Sequence, residues 1–289
     1  MALRDLKEAG LDRTLLLIVP GAAVVVLLFI YPFLYGLVLS FGPKSGGVWA
    51  NYARFFGETR FVSTIGITFW ISLPATLVNV GLAVPLAFRL RRAGSLQRLV
   101  TTLLVVPITL GTVLVAEGLL NFLGPLGWLN RTLLDLHLVD QAVRLTHNYW
   151  GVLFSLIITG FPFAFLLTLS YLTGIDPALA QAASTLGAGP SRQFLHIQLP
   201  LLAPGLAITF CLAFVQAFSV FPSAVLLGAP AGPTRVISIA AYQSAFEDYD
   251  YSMASAIAMV MGGLQLAVVA AVLGLRGVFY RGPATGAKG

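Results

Sequence analysis

Side chains able to do covalent or metal chemistry are scarce in this chain and do not converge. His137, His147 and His196 lie far apart in the sequence, so no metal-ligand or acid–base spacing joins them. Cys211 is the one cysteine and sits in an apolar run. That excludes an internal disulfide and marks it as a small buried hydrophobe rather than a redox or metal group. The stretch Leu39-Ser40-Phe41-Gly42-Pro43-Lys44-Ser45 superficially approaches a nucleotide loop. However, Pro43 and Gly46-Gly47 stand in the wrong places, and no Gly-x-x-x-x-Gly-Lys-Ser/Thr run occurs anywhere. No catalytic residue, metal or cofactor is expected. What remains are polar and aromatic residues in or beside apolar sequence: Glu117, Asn79, Gln216, Ser219, Phe214, Phe218, Phe221, and the acidic Glu247, Asp248 and Asp250.

The elements that carry these residues follow from composition. The 289 residues are 58% hydrophobic and only 10% charged, whereas a soluble domain carries about 25% charged residues. So few charges cannot cover a water-facing surface, and lipid is the solvent that fits. The net charge of +6 comes from 17 Lys and Arg against 11 Asp and Glu. These basic residues are scattered through loops without an aromatic stacking platform. They point to membrane topology and not to nucleic acid.

A bilayer core needs about 20 apolar residues in helical form. The segments Thr14–Phe41, Phe61–Phe88, Leu99–Phe122, His147–Thr173, Gly205–Leu227 and Ser252–Phe279 meet that requirement, so an all-α protein of six transmembrane helices is expected, with residues 1–289 as one membrane domain. Pro32, Pro74, Pro85, Pro107 and Pro162 fall inside these spans, where neighbouring groups satisfy the freed backbone and the helices kink. The charged start (Arg4, Lys7, Arg13) resembles a signal peptide, but the run after it is too long and lacks a small-residue cleavage site. It reads as a retained first helix. With the N-terminus inside, the outer segments hold only Lys44, Arg54, Arg60, Arg131, Arg144 and Arg235. The dense cluster Arg89, Arg91, Arg92 and Arg98 falls in a short inner loop. The positive-inside bias therefore predicts cytoplasmic N- and C-termini.

The inner loop from Gly174 to Pro204 carries the most information. Asp176 can cap free amides and Pro177 suits a first helical position. A helical run over Ala178–Leu186 is then interrupted by Gly187-Ala188-Gly189-Pro190, a strong turn signal. A second short helix is expected from Ser191 to Ile197, with Phe194 and Ile197 on one face, ending at Gln198-Leu199-Pro200. The pattern predicts a helix–turn–helix hairpin on the inner membrane surface. It would serve as a connector lying on lipid or as a docking element for a partner.

Gln181-Ala182-Ala183, Gly187-Ala188, Phe194, Leu199-Pro200 and Pro204 together resemble the EAA loop of ABC-importer permeases. That motif runs Glu-Ala-Ala, then Gly, then Leu-Pro at this spacing. Asn51-Tyr52 with Phe55-Phe56 resembles the outer segment of these permeases. Tyr249-Asp250-Tyr251 followed by Ala254-Ser255-Ala256-Ile257-Ala258 resembles the spermidine/putrescine-type branch, which shares the pattern with iron and phosphonate relatives. The likeness covers most of Asn51 to Phe279.

The resemblance implies a MetI-like permease fold and no enzyme activity in this chain. Two permease subunits, here a heterodimer, would form the pathway, and two cytoplasmic ATPase subunits would power it. An extracytoplasmic binding protein would deliver a small solute, with a polyamine favoured and iron, phosphonate, thiamine or sugar as alternatives. Carried over residue by residue, the ATPase-coupling segment is Gln181, Ala182, Ala183, Gly187, Ala188, Phe194, Leu199 and Pro200. Position 181 departs from the motif, since Gln stands where Glu is usual. This puts any salt bridge assumed there in doubt, although an exposed ion pair is worth only about 0–1 kcal/mol.

Within the spans, Glu117 is the only acid, with Asn121 one turn on. It reads either as a cavity carboxylate for a cationic substrate or as an interfacial acid reached by headgroup water. Asn79, Gln216 and Ser219 are softer candidates, because polar groups in bundles more often join helices. Phe214, Phe218 and Phe221 sit at helical spacing, either lining a gate or simply packing. Glu247, Asp248 and Asp250 form an outer acidic patch, either solvated or facing a binding protein. A secondary transporter would show inverted repeats, and a membrane enzyme a catalytic cluster. Neither pattern is visible in the sequence.

Overall fold

The computed structural model describes residues 18–92 and 94–279. The readings placed on Arg4, Lys7, Arg13, Arg281 and Lys288, and the start of the first span at Thr14, lie outside the described residues. Within them, six helices are long and apolar enough to cross a membrane: Val19–Ser40, Thr59–Leu90, Ser95–Asp135, Tyr149–Thr173, Pro190–Phe218 and Tyr251–Leu275. All the regular structure assigned to the described residues is helical. The chain forms two compact units, Met1–Glu58 with Ala241–Val260, and Thr59–Ala240 with Met261–Gly289.

The first unit begins with α1 (Ile18–Val25), which continues through a wide π turn (Val26–Ile30) into α2 (Tyr31–Ser40). The short α3 (Ala50–Gly57) follows, burying Asn51 and Phe55 on one face. Asn51 Nδ2 donates to the Ser40 carbonyl at 2.9 Å and to Ser252 Oγ at 2.6 Å, and Ser252 Oγ donates to the Leu39 carbonyl at 3.0 Å. Tyr52 and Ser40 share a hydroxyl–hydroxyl bond of 2.7 Å. Buried polar groups are costly unless paired, and here each finds a partner on a neighbouring element.

In the second unit, α4 (Thr59–Leu90), α5 (Ser95–Leu123) and α10 (Leu199–Phe218) pack against α7 (Tyr149–Thr173). Small residues make the close approach possible. Ala75, Ala83 and Ala87 on α4 are fully buried, as are Gly160 and Ala164 on α7, an economy typical of membrane helix pairs. One core cluster joins Ile71, Leu153, Leu156, Ala217 and Val220; another joins Ala83, Phe165, Leu169 and Leu202. Buried hydroxyls return to their own helix. Thr68, Thr76, Thr168 and Thr209 donate to the carbonyl four residues back, at 2.6–3.0 Å.

Two spans differ from expectation. The third is interrupted at Gly111, whose φ of 74° and ψ of 166° leave the helical region, with Pro107 just before it. The fifth was expected at Gly205–Leu227, with Pro200 ending the helix before it. Instead α9 (Pro190–Gln193), a π turn (Phe194–Gln198) and α10 run on without a break. In that wide turn Leu199 N donates to the Phe194 carbonyl. The Pro200 ring, at the first turn of α10, therefore follows a loosened hydrogen-bond ladder instead of stopping the helix. At its far end α10 stops at Phe218, and Pro222 opens a separate α11 (Pro222–Leu226). Phe221, at φ −135° and ψ −60°, is thus not on the helical stripe of Phe214 and Phe218. The residue before a proline is pushed from helical backbone.

The loop after α5 is also ordered. It carries α6 (Trp128–Asp135), and Asn130 is fully buried there. Its Nδ2 donates to the Gly124 and Val143 carbonyls at 2.9 and 3.1 Å, and its Oδ1 accepts from Val143 N at 2.8 Å.

Candidate functional site

The hairpin after α7 is built as its residues dictate. In α8 (Pro177–Thr185), Pro177 occupies the first turn and the Asp176 carboxylate accepts from Ala178 N at 2.8 Å. The Ala-rich run Ala178 to Ala183 is strongly helix-forming. Gly187 then adopts φ +81°, a left-handed conformation that residues with a Cβ rarely take. Gln193 Nε2 closes the turn, donating to Ser184 Oγ at 2.8 Å and to the Ala188 carbonyl at 2.7 Å.

The hairpin presents one side outward and roots the other. α8 has no buried residue; Gln181 and Ala182 are exposed, and Leu186 at the turn is 87% exposed. At the root, the Phe194 ring lies 4.5 Å from that of Phe88 at the end of α4. Arg91 sits 4.2 Å over the Phe88 ring and donates to Gln198 Oε1. Burial, and secondarily the neighbouring Arg92, lowers the Arg91 pKa from its ordinary value. Leu199 is half-buried and Pro200 exposed. The segment from Gln181 to Pro200 is therefore one continuous structure tied to α4 and α10.

The span candidates do not converge on one cavity within this chain. Asn79 is 2% exposed; its Nδ2 donates to the Leu156 carbonyl at 3.2 Å, and its Oδ1 has no partner among the described residues. Phe214 and Phe218 are fully buried, their rings 5.3 Å apart and 5.9 and 5.0 Å from Phe69. This is packing between α4 and α10. Gln216 is exposed on α10, and Ser219 Oγ accepts from Gln265 Nε2 at 2.7 Å. Glu117 is exposed on the part of α5 beyond Gly111, and its backbone carbonyl accepts from Asn121.

The acidic patch divides as well. Glu247 and Asp248 are exposed, but Asp250 caps α12 (Tyr251–Phe279) by accepting from Met253 N at 3.1 Å, and it lies 3.9 Å from Arg54. The sequence reading placed Asp250 only in the acidic patch, although an Asp directly before an apolar run is a helix-start signal. Less legible were the buried Gln193 and Gln198 and the partnership of Arg91, because no helical spacing connects them.

Six membrane-capable helices, with an exposed helical hairpin rooted between the fourth and fifth, define a polytopic membrane protein. The family described as "Binding-protein-dependent transport system inner membrane component" matches residues 46–276, and the chain belongs to that family. It is a multi-pass inner-membrane permease of an ABC importer, a channel component and not an enzyme. Among relatives, the "Probable ABC transporter permease protein YesP" of Bacillus subtilis is 28% identical over 76% of this chain and 73% of its own length. The "Probable sulfate transport system permease protein cysT" of Prototheca wickerhamii is 32% identical over 56% of this chain. The spermidine/putrescine permease PotB of Escherichia coli is 30% identical over 62% of this chain. The match spans 62% of the cysT sequence and 65% of that PotB, less than two thirds of either. A bacterial alginate ABC transporter has a chain of the same fold, with TM-score 0.79 and 24% identity over 95% of this chain and 97% of its own.

Proposed function

We propose that this chain forms half of the pathway of an ATP-driven importer for a small solute, with its hairpin seated on a cytoplasmic ATPase. The observation that carries this reading is the hairpin itself. Its outward side, with Gln181, Ala182 and Leu186, has no cover among the described residues, while its root is fixed to α4 and α10 through Phe88, Phe194, Arg91 and Gln198. A rigid element held at its base and bare at its tip passes a push on the tip into the membrane helices. The remaining parts of the machine would be a second permease subunit, making a heterodimer, two ATPase subunits and an extracytoplasmic binding protein. The N- and C-termini and the 174–204 loop would then face the cytoplasm, in keeping with the cluster Arg89, Arg91, Arg92 and Arg98.

The solute is a polyamine in the first reading, supported by the PotB similarity and by Glu117, whose carboxylate suits a cation. The cysT relative supports an anion equally. Glu247 and Asp248 are the exposed acids that would meet the binding protein.

The test is site-directed cross-linking on the assembled transporter in inverted and right-side-out vesicles. With Cys211 replaced by Ser, Leu186→Cys is expected to capture the ATPase subunit and to react with impermeant thiol reagents only from the cytoplasmic side. Labelling from the outside, or no ATPase capture with an otherwise active transporter, would refute the docking.

A further inference from the structure

A cleft of about 350 Å³ opens where α4 ends against the hairpin, and its walls include Arg91, Arg92, Asp176, Gln181, Gln193 and Gln198. Its polar groups are not all spent. Gln198 is only 6% exposed, and its Oε1 accepts from Arg91. A guanidinium only donates, so that bond fixes the amide orientation and leaves Nε2 as the free end. Nε2 has no hydrogen-bond partner among the described residues. Arg92 is exposed and makes no ion pair within the described residues. Asp176 is the one carboxylate in the wall, and its Oδ1 is committed to capping α8. Two guanidiniums against one carboxylate, with the free amide N–H of Gln198 beside them, make a site for an anion with several acceptor oxygens.

Its depth narrows the choice. Arg91 and Arg92 directly follow the last residue of the 32-residue apolar helix α4, where a membrane helix leaves the hydrocarbon and meets headgroups. We propose that this cleft binds a phosphate group, presented by an anionic phospholipid of the adjoining leaflet. The phosphate bridges Arg92, at the end of the second span, to the Gln198 amide, at the start of the fifth. A lipid thereby braces the root of the hairpin. The site needs only that the chain crosses a membrane; it does not depend on the hairpin docking an ATPase.

The experiment uses the assembled transporter in nanodiscs of phosphatidylcholine alone or with phosphatidylglycerol, and counts detergent-resistant lipid by native mass spectrometry. Arg92→Gln, at an exposed position that leaves the Arg91–Gln198 bond intact, is expected to weaken phosphatidylglycerol retention about fivefold, one juxtamembrane arginine's worth. Arg89→Gln, exposed and outside the lining, is expected to leave the tightly held lipid in place. Inorganic phosphate titrated into the phosphatidylcholine discs separates the sources. Binding that depends on Arg92, with no lipid effect, supports the phosphate site and assigns its ligand to solution. Equal retention of phosphatidylglycerol and of phosphate by wild type and Arg92→Gln overturns the site.

Discussion

The bundle of α4, α7 and α10 and the hairpin between α7 and α10 are built from equally helical sequence, yet they are stabilised in opposite ways. In the bundle, alanines and glycines bring helices together, threonine hydroxyls return to their own carbonyls, and more than half of the most apolar stretch of α7 is buried inside the chain. Such a body holds itself together. The hairpin's α8 has nine residues and no buried one. Isolated helices shorter than about 12–15 residues are marginal in water, so what stabilises α8 is its cap, its alanines and the root contacts. The difference teaches that the bundle completes itself, whereas the hairpin is finished by whatever covers it. Substitutions should therefore separate stability from coupling.

The largest expected effect lies in the bundle. A Cβ at Gly160 would overlap Asn79 Nδ2, the group that donates to the Leu156 carbonyl. Gly160→Val is expected to destabilise by about 1–3 kcal/mol from overpacking alone, lowering the Tm of the purified transporter, with transport falling in proportion. A Gly160→Val variant that keeps its Tm but loses transport would break the comparison, because the bundle would then be a moving part.

The hairpin comes next. Gly187→Val forces a β-branched residue into φ +81°, at a cost of about 1–2 kcal/mol in the turn. Because the turn is exposed and rooted elsewhere, Tm should stay near wild type. Coupling is expected to drop about tenfold, read as solute-stimulated ATP hydrolysis in proteoliposomes. Equal falls in Tm and activity would merge the two regions.

The same division decides what was legible in the sequence. Spans of apolar residues announce themselves by length, so the six helices could be placed within a few residues at most ends. The hairpin was equally readable, because the Asp176 cap, Pro177 and Gly187 act locally, and local chemistry is written next to its consequence. The frame of the fifth span was not. Pro200 reads as the end of the hairpin's second helix, and only the π turn at Phe194–Gln198 shows how the helix passes it. Phe221 was placed on a stripe with Phe214 and Phe218 for the converse reason, as Pro222 restarts the chain where apolar content alone continues it. The hydrogen-bonded partners Asn51–Ser252 and Arg91–Gln198 join residues far apart in sequence, and no spacing rule relates such pairs.

The smallest expected effect is the most discriminating. Gln181→Glu restores the acid that the EAA motif carries, at an exposed position of α8, with no expected change in Tm. If the side chain meets the ATPase, a surface ion pair adds at most about 1 kcal/mol. The half-saturating ATPase concentration should then fall by up to about fivefold at low salt, with the gain fading as ionic strength rises. Gln181 also lines the cleft that holds Arg91 and Arg92. A glutamate turned inward would neutralise those guanidiniums, so phosphatidylglycerol retention would drop while ATPase affinity stayed constant. The two readouts assign the side chain to one face of α8. A gain beyond tenfold that survives high salt would break the comparison, because it would require position 181 to be buried in a socket of the partner and not resting on its surface.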